Sequence, residues 1–69
     1  MLYANVSDQG RLELQEAMSQ TQEKRWYCRL KIIELSGQEK TVGMLASLFA
    51  LSEHTIRSYI HRYNQGGLE

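Results

Sequence analysis

Proline is absent from the 69 residues, cysteine occurs once, and the formal charges cancel. Without proline, the chain has no residue that breaks a helix by lacking an N–H, so element ends must come from glycine and capping residues. A lone cysteine, Cys28, excludes a disulfide staple within one chain. A chain this short buries only about 60% of the surface that its unfolded form exposes, which leaves well-packed helices as the source of stability. Cys28 lies in an apolar stretch with no catalytic partner nearby in sequence, and it reads as a small core residue. No apolar run approaches the roughly 18 residues of a membrane span, and no secretory leader is evident, so a soluble, cytoplasmic domain is expected.

The 8 basic and 8 acidic residues argue against a strongly basic nucleic-acid binder, but they are unevenly placed. Residues 1–20 hold Arg11 against Asp8, Glu13 and Glu16, so the remainder carries the compensating positive excess. Within 52–65, Arg57 and Arg62 outweigh Glu53, and His54 and His61 can add local charge.

Apolar residues recur at helical spacing through nearly the whole chain, with no repeat, no low-complexity tract and no sustained alternation. Residues 1–7 lack periodicity and are expected to fray as a disordered N-terminus. A domain is expected over 8–65, with 66–69 the start of a linker or a cloning remnant. A first helix over about 8–20 carries Leu14, Ala17 and Met18, is capped by Ser7 or Asp8, and is weakened by Gly10. A second, over about 22–36, places Trp26, Leu30 and Ile33 on one side and Cys28, Ile32 and Leu35 on another, leaving a polar wedge of Tyr27, Lys31 and Glu34. A helix apolar round most of its circumference packs on more than one side, so it should be central. Gly37 should end it in the left-handed cap conformation.

Thr41 then caps a short helix whose stripe is Val42, Leu45, Ala46 and Phe49. Ala50-Leu51 forms a tight turn, and Ser52 caps a last helix striped by Ile56, Tyr59, Ile60 and Tyr63, which ends at Asn64–Gly67. Counted from Val42, the fourth, eighth, tenth, fifteenth and eighteenth residues are Leu45, Phe49, Leu51, Ile56 and Tyr59. With small Ala46 at the fifth place, this is the helix-turn-helix pattern. Leu51 should seat the turn in the core. The ninth place, usually glycine, holds Ala50, which must then adopt a conformation uncommon for a residue with a Cβ.

With that stripe inward, His54, Arg57, Ser58, His61 and Gln65 face outward on the last helix. Arg can bond guanine twice in the major groove, and Ser, Gln and neutral His can exchange hydrogen bonds with base edges or phosphates. Ser52 and the free N–H groups of the helix start suit a phosphate oxygen, and Arg62 and Lys40 flank the face as phosphate contacts. Glu53 is awkward here: it either accepts from a cytosine amino group or points away from the DNA backbone. Lys24, Arg25, Arg29 and Lys31 read equally as solvated or phosphate-facing. Met44 and Leu48 either pack under the first helix or form a partner surface. His54 and His61, seven residues apart, do not make an ordinary metal pair, and no metal or cofactor is expected.

The runs Arg29-Leu30-Lys31-Ile32-Ile33-Glu34-Leu35-Ser36-Gly37, Val42-Gly43-Met44-Leu45-Ala46 and Leu51-Ser52-Glu53-His54-Thr55-Ile56 resemble the N-terminal region of bacterial insertion-sequence transposases related to the mariner superfamily. The ending Arg62-Tyr63-Asn64-Gln65-Gly66-Gly67-Leu68-Glu69 is similar to the way those proteins pass from an aromatic-ended recognition helix into a linker. The resemblance covers about residues 11–69. It implies binding to the terminal inverted repeats of a mobile element. In that family catalysis belongs to a later, carboxylate-bearing domain, so this chain itself should not be an enzyme.

The expected architecture is all-α: a homeodomain-like three-helix helix-turn-helix bundle with an additional N-terminal helix. The expected partner is double-stranded DNA, with a homodimer left open, and with no membrane and no small-molecule substrate. Two alternatives remain: a repressor-type regulator, and a protein-interaction module that no longer binds DNA.

Overall fold

The computed structural model describes residues 2–67, so Leu68 and Glu69, the end of the expected linker or cloning remnant, lie outside the described residues. Four helices follow in order: α1 (Asp8–Gln20), α2 (Lys24–Gly37), α3 (Val42–Phe49) and α4 (Glu53–Gly66). The fold is all-α, three helices in a helix-turn-helix bundle preceded by α1. Three of the starts follow from hydroxyl caps. Ser7 Oγ accepts from the Gly10 N–H at 3.0 Å, Thr41 Oγ1 from the Met44 N–H at 3.1 Å, and Ser52 Oγ from the Thr55 N–H at 3.2 Å. No helix among the described residues is long and apolar enough to cross a membrane.

Helix α2 is central, as its nearly unbroken apolar circumference requires, and it packs against each of the other three. Leu30, Ile32 and Ile33 are buried from it, against Leu14 of α1, Leu45 of α3, and Ile56, Ile60 and Tyr63 of α4. Each such side chain contributes about 1.5–3 kcal/mol on burial.

Several expectations are corrected by this packing. Glu34 does not lie on a solvated wedge but is 6% exposed, because α1 covers it. Its carboxylate stays satisfied, accepting from Lys31 Nζ at 3.0 Å and from Gln15 Nε2 of α1 at 3.4 Å. Leu51 is not a core residue: it remains 36% exposed and lines the side of an open groove beside Phe49 and Tyr59. Cys28 is half-buried and lines a surface groove with Ile32, Phe49 and Leu51. Met44 and Leu48 do not pack under α1 and stay 53% and 65% exposed.

The segment before α1 does not fray over its described part, residues 2–7. Ala4 is buried, and its N–H donates to the Oγ of buried Ser36 at 2.9 Å. The side-chain amide of Asn64 pairs with both Asn5 N–H (2.7 Å) and Tyr3 C=O (3.2 Å), tying the segment to the end of α4. Absence of periodicity gave no sign of this docking, because the anchors are single hydrogen bonds and Ala4 rather than an apolar stripe.

Two glycines are explained by this segment and by Tyr63. Gly37 does not take the left-handed conformation: it closes α2 in helical geometry, and Glu39 takes the left-handed position with φ +68°. A Cβ on Gly37 would stand 2.7 Å from Val6 Cγ2 and 2.9 Å from Val6 Cβ, so the docked segment needs glycine there. A Cβ on Gly10 would likewise meet the Tyr63 hydroxyl at 2.7 Å, so this glycine lets the ring lie over the start of α1.

Gly37→Ala is therefore expected to cost about 1–3 kcal/mol in urea unfolding, through overpacking, and to speed hydrogen exchange at the Ala4 amide. Unchanged stability and exchange would show that residues 2–7 are not held against α2.

The pKa of Lys31 is raised, first by its hydrogen bond to Glu34 and then by that carboxylate's charge. Burial raises the pKa of Tyr63, and the charge of Glu13 adds to it. Both groups hold their protons longer folded than unfolded, so their contributions are complete below the unfolded values and fade as pH rises through the folded ones. Stability should thus be level at neutral pH and fall above about pH 10. Tyr63→Phe should lessen that alkaline loss; the same fall in the variant would exclude Tyr63 as a source.

Candidate nucleic-acid interface

Helix α4 owes its orientation to a turn of few residues. Ala50 sits in the left-handed region (φ +57°, ψ +41°), and the Leu51 N–H returns to the Ala46 carbonyl at 3.0 Å, closing the end of α3. The strain expected of a residue with a Cβ at this place is present, about 1–2 kcal/mol on general grounds. The chain leaves the turn directly into the Ser52 cap, which sets α4 across α3 with Ile56, Ile60 and Tyr63 facing inward.

The opposite face of α4 is exposed along its length: His54, Arg57, Ser58, His61, Arg62 and Gln65. The first five of these line one shallow depression, so the structure brings them together as a single surface. Ser52 stands at the head of this face, its hydroxyl engaged by the Thr55 N–H and, at 2.9 Å, by Thr55 Oγ1. The N–H groups of the first α4 turn remain its anion-attracting feature. Lys40 is exposed in the connection between α2 and α3, its own N–H bonded to the Leu35 carbonyl at 3.2 Å, and it does not line the depression.

Glu53 is resolved by geometry. Its Oε1 accepts from Arg57 Nη2 at 2.9 Å, one turn along the helix, with both side chains about half exposed. Its other oxygen faces the start of α3, 3.6 Å from where a Gly43 Cβ would sit. Such an exposed i, i+4 pair contributes only about 0.3–0.5 kcal/mol. Its effect is to hold the Arg57 guanidinium back along the helix rather than to stabilise the fold.

One feature of this region was not legible as a constellation. Arg29 of α2 lies 5.2 Å from the ring centroids of both Trp26 and Tyr59, a cation–π arrangement worth roughly 0.5–1 kcal/mol per ring at a partly exposed site. Trp26 and Arg29 are one turn apart, which spacing could suggest. Tyr59 was expected in the core, and it is half-buried because its ring turns to Arg29 at the α2–α4 seam.

A sequence-family model described as a helix-turn-helix domain matches residues 29–69, more than half of the chain. No curated protein and no solved structure matches it.

Because glycine carries no Cβ penalty in the left-handed region, Ala50→Gly and Glu39→Gly should each raise stability by about 0.5–1 kcal/mol. A lower melting temperature for Ala50→Gly would mean that the turn does not have the backbone described above.

Proposed function

The chain belongs to the helix-turn-helix domain family, and on that premise we propose that it binds duplex DNA by laying α4 in the major groove. The observation that supports this reading is the exposed α4 face, on which His54, Arg57, Ser58 and His61 lie side by side opposite the core stripe. In this arrangement Arg57 reads guanine, while His54, Ser58, His61 and Gln65 exchange hydrogen bonds with neighbouring base edges or phosphates. The head of α4 at Ser52, with Arg62 and Lys40 on the flanks, contacts phosphates and sets register. In the free protein Glu53 competes with DNA for Arg57, and binding exchanges that pair for a contact to a base.

The finer reading follows the sequence resemblance: the domain recognises the terminal inverted repeats of a mobile element as the non-catalytic module of a transposase. A repressor-type regulator would use the same face. A second reading, a protein-interaction module, is favoured by one observation, the exposure of Met44 and Leu48 on the outer side of α3.

The test is a titration of isotopically labelled protein with a random-sequence duplex at low and at physiological salt, followed by selection of a preferred sequence from a randomised pool. Amide shifts centred on 52–65 that weaken with salt are expected. Arg57→Ala should remove about 1–3 kcal/mol of discrimination between preferred and scrambled duplexes while leaving the fold intact. Glu53→Gln should tighten binding several-fold, by roughly 1 kcal/mol. Silence along α4 at both salts, with shifts at Met44 and Leu48 on adding a partner protein, would replace DNA binding by the second reading.

A further inference from the structure

Beside the α4 face, a cleft between α2 and α4 is lined by Glu23, Arg25, Trp26, Arg29, Tyr59 and Arg62. Among the described residues the ion pairs are Lys31–Glu34 and Arg57–Glu53, so the three guanidinium-bearing side chains of this cleft form no ion pair, and the one carboxylate in its lining, that of Glu23, is unpaired too. Three cations against one carboxylate leave the cleft net positive, and a bound anion would relieve the repulsion among them. Arg29 is also held in place before any ligand arrives, both rings standing 5.2 Å from its guanidinium carbon, while its buried Nε finds no hydrogen-bond acceptor among the described residues. A planar donor group ordered by aromatic contacts is suited to the geometry of a phosphate.

From these observations we infer that the cleft is a phosphate site formed by Arg25, Arg29 and Arg62, and that its occupant is a backbone phosphate of the bound duplex. Arg62 lines both this cleft and the depression on the outward face of α4, so the two surfaces are continuous. A duplex whose groove admits α4 then runs one strand over the first turns of α2. The inference rests on the DNA-binding reading for the source of the phosphate, but not for the anion chemistry. It moves part of the electrostatic contact from the recognition helix to α2, where the overall neutrality of the chain gives no hint of it.

Trp26 is the one tryptophan of the chain and lines the cleft, so its indole signal reports occupancy directly. The experiment titrates the whole chain with a random-sequence duplex, and separately with inorganic phosphate, recording the Trp26 indole N–H and the α4 amides. The indole is expected to move with the duplex at the same midpoint as the α4 amides. Arg25→Gln, an exposed change that should not disturb folding, is expected to lower the slope of log K against log salt by about 1, equally on all sequences. Arg29→Gln should do the same, with an amide spectrum confirming that it folds. If the α4 amides move while the indole stays still and Arg25→Gln leaves the slope unchanged, the cleft is not a phosphate site, and the α4 reading survives. If the duplex moves neither, DNA binding fails, and inorganic phosphate decides the cleft. An indole shift abolished by Arg25→Gln upholds the anion site, and no shift overturns it.

Discussion

The burial of α2 is the constraint from which the rest of the molecule follows. A domain of this size has one core to fill, and Leu30, Ile32 and Ile33 project from α2 in directions that no single neighbour could cover. Three helices are therefore needed around it, and each brings a narrow stripe rather than a broad face: Leu14 from α1, Leu45 from α3, Ile56 and Ile60 from α4. The polar residues of α2 accept burial only where the covering segments bring partners. Gln15 comes with α1 to Glu34, and the Ala4 N–H comes with the N-terminal segment to Ser36. These pairings make the covering specific, because a shifted α1 or an undocked segment would leave a buried carboxylate or hydroxyl with fewer partners.

Once α2 is enclosed, the outward face of α4 is decided by subtraction. Ile56, Ile60 and Tyr63 must point into the core, and the helical repeat then turns His54, Arg57, Ser58 and His61 away from it. The turn at Ala50 permits this crossing at a cost in backbone strain, and the Leu51 N–H closes back on the Ala46 carbonyl. Rigidity in the exposed α4 face thus comes from the core behind it, and Glu53 acts on that face directly through its pair with Arg57.

What could be read from the sequence is what depends on periodicity and capping. The ranges of α1 and α4, the caps Thr41 and Ser52, the central place of α2 and the left-handed Ala50 all follow from local spacing and residue type, while between Ser7 and Asp8 the structure selects Ser7. What could not be read depends on which element arrives from elsewhere in the chain. Glu34 looks solvated until α1 lies over it, and Gly37 looks like a left-handed cap until Val6 is set against it. Leu51 fits the apolar pattern, yet it lies on the rim of a groove shared with Cys28 and Phe49 rather than in the core. Arg29 looks like one more surface cation, because Tyr59 reaches it from thirty residues away in sequence.

Arg29 also shows why net charge is a poor guide to this surface. Much of the acidic charge is spent within the scaffold or its edges: Glu34 is buried against Lys31, Glu53 is paired with Arg57, and Glu13 lies near Tyr63 on the α1 side. Among the described residues Arg25, Arg29 and Arg62 form no ion pair on one side of the α2–α4 seam. Over distances shorter than the roughly 8 Å screening length at physiological salt, a ligand responds to the charges it meets rather than to the sum over the chain. A near-neutral domain can in this way present a positive face to a polyanion, and its weak long-range attraction places more of the selectivity on contacts made at close range.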